Sequence, residues 1–240
     1  MGNPQHYSIE LPSRCLDLIN GLWSAASNLY GGAHPDLGPL TSTFLVSMSM
    51  PILNIPLERI ERQIDKNDGE AYADDRHLNP EAVEAFMKVI RKGKLGDAPF
   101  YKDGTWRFHP LRDGPFPNIS DGLPDSLAEA LESEDAIKAA RVMPASQWVS
   151  LLRNAMAHGG IAYLDENGRS RHGTPVKMFA FVSGKYGKPK CEFADAACRF
   201  GMGKLDGLNF LRISEDDYRS FLGDWVAWLV ASKIAKQAAA

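Results

Sequence analysis

A chain of 240 residues that is 44% hydrophobic, 24% charged and 10% aromatic has the balance of a globular protein, not of a disordered, fibrous or membrane-embedded one. Its net charge of −3 argues against a generic polyanion binder, whose affinity would come from neutralising phosphates. The longest apolar run, residues 44–55, is broken by Ser47, Ser49 and Pro51 and is too short to span a bilayer, so no membrane association is expected. At this length the chain reads as one domain, residues 1–240.

In chain order, the first helix is predicted over about Ser13–Leu29, where Cys15, Leu16, Ile19, Leu22, Trp23 and Ala26 recur every three or four residues before Gly31 and Gly32. Thr41 to about Leu53 predicts a second helix bent near Pro51, and Pro56 opens a further stretch through Ile64. Asn79-Pro80 is a start signal for a helix that carries Val83, Phe86, Met87 and Ile90 inward and stops at Gly93. Residues 93–124 are rich in glycine and proline and read as loop, with a tight hairpin expected around Asp103-Gly104. Helix is expected again over Leu127–Val142 and from Pro144 to Gly159-Gly160. The segment 161–213 reads as a β-containing insertion, with strands at Ile161–Leu164, Val176–Val182 and Leu208–Ile213. Ser214, three residues before Asp217, caps a last helix lined by Phe221, Leu222, Trp225, Trp228 and Leu229. The expected fold is therefore mainly α, a helical bundle with a small β-hairpin insertion before the C-terminal helix.

Charge is unevenly distributed along this order. Residues 66–135 hold 9 basic and 15 acidic side chains. Residues 168–190 hold Arg169, Arg171, Lys177, Lys185, Lys188 and Lys190 with no acid among them. An anionic ligand is expected at that basic stretch, with Tyr186 available to stack on a base; a solvated hairpin guarded by lysines is the equally weighted alternative. Cys191, Cys198 and His172 make a poor zinc site, and three scattered cysteines read as reduced thiols, so neither a metal nor another cofactor is expected. Met1–Glu10 shows no secretory signal and His6 spoils an acylation motif at Gly2, which places the expected location in the cytoplasm.

One segment carries chemistry. On a helix over residues 148–158, Trp148, Val149, Leu151, Leu152, Ala155 and Met156 share the apolar side, while Ser150, Arg153, Asn154, Ala157 and His158 occupy the opposite arc. Asn154 and His158 stand one turn apart with Arg153 on the flank. An imidazole in the last turn of a helix feels the carbonyl end of the dipole, which favours its protonated form. Arginine supplies planar donors for phosphate oxygens. Together these groups suit cleavage of RNA by its own 2′-hydroxyl, where a protein need only move protons and stabilise charge on phosphorus.

The run Arg153-Asn154 followed by His158, late in a helix, resembles the HEPN superfamily, whose signature is an arginine, an adjacent polar residue and a histidine a few residues on. The resemblance implies an all-α bundle, a homodimer that brings two motifs together, and a metal-independent endoribonuclease leaving 2′,3′-cyclic phosphate and 5′-hydroxyl ends. It also implies a role as a toxin or in phage defence, with an antitoxin or inhibitor as a further partner. Arg153, Asn154 and His158 are then the catalytic positions. The chain departs from toxins paired with nucleotidyltransferase antitoxins in having Gly160 where those carry a tyrosine. A non-catalytic module that binds RNA, a nucleotide or a protein through the same arc is the competing reading.

Overall fold

The computed structural model describes residues 6–30, 38–64, 78–187 and 203–234, with the side chains of residues 62–64 excepted. Helix α1 spans Tyr7–Ser27, beginning earlier than its apolar period indicates, because the Glu10 carboxylate accepts the His6 N–H at 2.9 Å and satisfies its first turn. Helix α2, Thr41–Ser49, passes into a π-helical turn, Met50–Asn54, containing Pro51, and then into α3, Ile55–Ile64. Helix α4, Pro80–Lys92, starts as its sequence predicts: the Asn79 side chain accepts from the N–H groups of Glu81 and Ala82. The expected single helix over 127–142 is two, α5 (Asp125–Glu132) and α6 (Glu134–Val142), because Ser133 adopts an extended backbone and its hydroxyl accepts the Ala136 N–H. Helices α7, Ala145–His158, and α8, Glu215–Ala231, complete the set, the latter capped by Ser214 Oγ on the Asp217 N–H at 3.0 Å.

The expected helical bundle with a hairpin insertion is not what forms. The fold is mixed α/β, built around a four-stranded antiparallel sheet in the order β1-β4-β3-β2. Its strands are β1 (Arg107–Leu111), β2 (Ile161–Leu164), β3 (Met178–Tyr186) and β4 (Leu205–Ser214). Strand β1 comes from the segment read as loop, and it pairs with β4 in a register that sets Phe108 opposite Leu211. The hairpin expected at Asp103-Gly104 is absent for a related reason. A bend forms there, with Gly104 at φ +79°, but Phe100 and Trp106 on its two sides are buried in the aromatic core instead of pairing as strands.

The sheet is covered on both faces. Phe179 and Phe181 of β3 with Leu211 and Ile213 of β4 join the large core shared by α1, α4, α7 and α8, centred on Trp106, Trp148 and Trp225. The alternate residues Ala180, Val182, Leu208 and Phe210 meet Leu123, Leu127, Ala128 and Leu131 of α5 and its approach. Burial on both sides explains why β3 and β4 read as near-continuous apolar runs.

The acidic and basic stretches of the sequence meet each other across this second layer. Arg169 lies 2.9 Å from Asp125 and 3.5 Å from Glu129, both on α5. Arg212, 2% exposed in the middle of β4, hydrogen-bonds Glu132 at the end of α5, and Arg107 of β1 reaches the same carboxylate at 3.5 Å.

Candidate functional site

Helix α7 forms as its pattern predicts. Trp148, Val149, Leu151, Leu152 and Ala155 are buried; Ser150, Asn154, Ala157 and His158 are exposed; Arg153 is half-buried between them. Gly159 ends the helix in the left-handed region, φ +70°, and the Gly160 N–H returns to the Ala155 carbonyl at 2.8 Å. The chain enters β2 at once, its register fixed by the Val182 N–H donating to the Gly160 carbonyl at 2.7 Å. A Cβ on Gly160 would run into that same Val182 backbone carbonyl. Gly160→Ala should therefore cost about 1–3 kcal/mol in a urea titration, as overpacking against backbone does. Gly159→Ala meets open space and bears only its backbone strain, about 1–2 kcal/mol. A Gly160→Ala protein as stable as the native one would show that this junction yields.

The structure brings the three motif residues to one surface but treats them differently. Arg153 forms ion pairs with Glu58 and, at 3.3 Å, with Glu61, both on α3, and Arg91 of α4 lies 4.0 Å from Glu61. Burial draws the Arg153 pKa below the ordinary arginine value. Asn154 donates from Nδ2 to Ser183 Oγ of β3 at 3.4 Å, which ties the arc of α7 to the sheet. His158 is exposed in the last turn.

The residues expected to bind substrate fall into separate places. Ser183 and Lys185 share a face of β3 by strand alternation, so the exposed Lys185 continues the surface begun by Asn154. The Tyr186 ring lies over Gly184, on the opposite face, and is 57% exposed. Lys177 is exposed eight residues before Lys185, about 26 Å along an extended strand. Arg169 is held by α5, and Arg171 lies 3.5 Å from the buried Asp165 carboxylate, itself an acceptor for the Asn167 and Arg169 N–H groups. Lys188 and Lys190 lie outside the described residues, as do Cys191 and Cys198.

Glu58, Glu61 and Ser183 belong to this site without having been singled out in the sequence. Glu58 and Glu61 are spaced to share one side of a helix, the one local sign available, but nothing local names Arg153 as their partner. Among the described residues no group of three His, Cys, Asp or Glu side chains stands together to hold a metal ion. No described helix is long and apolar enough to cross a membrane. Cys15 is a free buried thiol, its pKa pushed up by burial. No protein-family model, curated protein or solved structure matches the chain.

Proposed function

We propose that the chain acts on RNA at the exposed arc of α7 as a metal-independent endoribonuclease. The observation that carries this reading is the placement of His158 and Asn154 one turn apart on the solvent side of α7, with Arg153 on their flank and Lys185 on the adjoining strand. In the reaction, the 2′-oxygen of a ribose attacks the neighbouring phosphorus, and the bond from phosphorus to the 5′-oxygen breaks. In a homodimer that brings two motifs to a shared cleft, His158 of one protomer takes the proton of the attacking hydroxyl and the protonated His158 of its partner gives one to the departing oxygen. Arg153 offers its guanidinium to the phosphoryl oxygens as charge gathers there, and Asn154, anchored on Ser183, orients the phosphate. The products are a 2′,3′-cyclic phosphate and a 5′-hydroxyl. The resemblance of Arg153-Asn154-x-x-x-His158 to the HEPN signature supports the same assignment, with a role in a toxin–antitoxin or phage-defence setting.

A different observation favours a second reading, a non-catalytic module that binds RNA or a protein. Arg153 is already neutralised by Glu58 and Glu61, so it must exchange partners before it can serve a phosphate.

The test incubates the purified chain with tRNA and mixed RNA in excess EDTA, with end-group analysis of the products, alongside His158→Ala, Arg153→Ala and the double variant Glu58→Gln, Glu61→Gln. The enzyme reading expects cyclic-phosphate ends, a loss of about 100-fold or more in rate for His158→Ala, and faster cleavage once the glutamates no longer hold Arg153. Binding without cleavage, weakened in Arg153→Ala and strengthened in the glutamine variant, establishes the second reading instead. Absence of both rejects the arc as an RNA surface.

A further inference from the structure

Arg153, Arg169, Arg171 and Arg212 each face a carboxylate of their own chain. Arg112, the residue that follows β1, meets only neutral oxygens. Its Nη1 donates to the Leu208 carbonyl at 3.1 Å and the Leu111 carbonyl at 3.3 Å, and its Nη2 donates to Asn209 Oδ1 at 2.7 Å. The Nε–H has no acceptor among the described residues, and the residue is exposed. Arg112 is thus a cation fixed in place by uncharged acceptors, with no described carboxylate in ion-pair reach.

Strand register sets this cation beside the arc of α7. Ser183, the acceptor for Asn154, lies opposite Asn209, and Lys185 lies opposite Gly207. Residues opposite each other in an antiparallel pair share a face, with Cβ atoms about 4.5–5.5 Å apart. Gly207 brings no side chain to that face, and Arg112 fills its place: a Cβ on Gly207 would come within 2.9 Å of Arg112 Nη1 and 3.3 Å of its Cδ. Arg112 therefore lies across the position facing Lys185. Lys185 is exposed and has no ion pair with a described residue either. A continuous polar row results, from Asn154 through Ser183 and Asn209 to Arg112, with Lys185 next to its far end. Like charges set opposite each other on a sheet are destabilising by themselves. Their juxtaposition here, beside the arc of α7, points to an anion that joins them.

We propose that Arg112 and Lys185 together bind one backbone phosphate of the RNA, a neighbour of the phosphate that reacts at His158. The subsite stands about 7 Å beyond Ser183, two residues along β3. Arg112 is then the guanidinium open to an incoming strand while Glu58 and Glu61 still hold Arg153. This assignment rests on the reading of the α7 arc as an RNA surface, and the test separates the two.

The measurement is fluorescence anisotropy of the full chain with a short, labelled single-stranded RNA, 2′-O-methylated so that it cannot be cleaved, across a salt series. Arg112→Gln and Lys185→Gln should each weaken binding about tenfold, as loss of a charge-assisted hydrogen bond does. The double variant should flatten the slope of log Kd against log salt by about 0.7, the share of one phosphate on a single strand. Arg112→Lys should keep the slope and lose part of the affinity, because an ammonium lacks the planar fork. Lys138→Gln, at an exposed cation of α6, should change neither. All these positions are exposed, so the variants should keep the native circular dichroism. RNA bound equally well by both glutamine variants overturns the subsite, and leaves the arc standing if Arg153→Ala or Asn154→Ala still weakens binding. Loss in Arg112→Gln with none in the α7 variants keeps the subsite and rejects the arc. A native chain that binds no RNA overturns both.

Discussion

Trp225→Ala should lower the unfolding free energy by about 3–5 kcal/mol, the cost of removing a large aromatic from a close-packed core. Trp225 has no exposed surface, and its ring centroid lies 4.9 Å from that of Phe100 and 5.4 Å from that of Trp228, with Phe86, Trp148 and Phe221 slightly farther out. It joins α8 to α4, α7 and the segment leading to β1, so a void there loosens several elements at once. Its indole N–H also donates to the Ile52 carbonyl at 3.0 Å, inside the π-helical turn. Trp225→Phe keeps most of the ring contacts but strips a buried carbonyl of that donor, which costs about 1–3 kcal/mol besides the lost volume. Trp148 supplies the control, because it is as deeply buried and its indole nitrogen has no hydrogen-bond partner. Trp148→Phe should therefore be the milder of the two replacements in guanidinium titrations. Equal losses would show that the Ile52 bond contributes nothing.

Glu132→Ala should cost about 2–3 kcal/mol, less than the ~3–5 kcal/mol of a fully enclosed pair because the glutamate side is open to water. Arg212 is the reason for so large an effect at a surface carboxylate. Its side chain is 2% exposed, one guanidinium nitrogen bonds Glu132, and another, Nη1, has no acceptor. Removing Glu132 leaves a buried cation beside Arg107 and Arg169 with nothing to balance it. Arg212→Met should relieve that penalty, so that Glu132→Ala in the Arg212→Met background costs little. A double-mutant cycle reads the coupling directly, and additive losses would rule the pair out as an energetic unit.

The same cluster sets a pH dependence. Burial works against charge on Glu132, but the hydrogen bond and charge of Arg212, with Arg107 and Arg169 nearby, outweigh it and hold the carboxyl below the usual glutamate range. A depressed pKa in the folded state means that the stabilisation is complete above the unfolded glutamate pKa and is lost as pH falls through the lower folded value. The native chain should lose stability over that acid interval more steeply than Glu132→Ala does.

What the sequence displays clearly is local. The caps at Asn79 and Ser214, the glycine stop after His158 and the apolar side of α7 each depend on residues within a turn or two, and they form as their patterns indicate. What it conceals depends on distant partners. Strand β1 has too few residues and too many prolines around it to announce itself, and it exists because β4 offers an edge from the far end of the chain. Arg153 reads as a free cation until α3 brings Glu58 and Glu61 beside it. The six positive charges of 168–190 look like one patch, yet Arg169 and Arg171 turn to carboxylates of their own chain, and Lys185 stands on the opposite face of the strand from Tyr186. A count of charges records composition, whereas the folded surface depends on which charges find each other.

The placement of β1 has a kinetic consequence. Arg107 pairs with Arg212, so closing the sheet encloses the 104 residues between them in one loop, and contacts so distant in sequence form late and slowly. Helices α4 to α7 can take shape in microseconds around their own turns. Phe108 has to wait for β4, and Trp106 for Tyr218 and Phe221 of α8, exposing aromatic surface in the interval. Refolding should accordingly run slower than so helical a chain suggests. During synthesis the same residues stay uncovered until β4 and α8 have left the ribosome, an interval in which their apolar surface is open to aggregation.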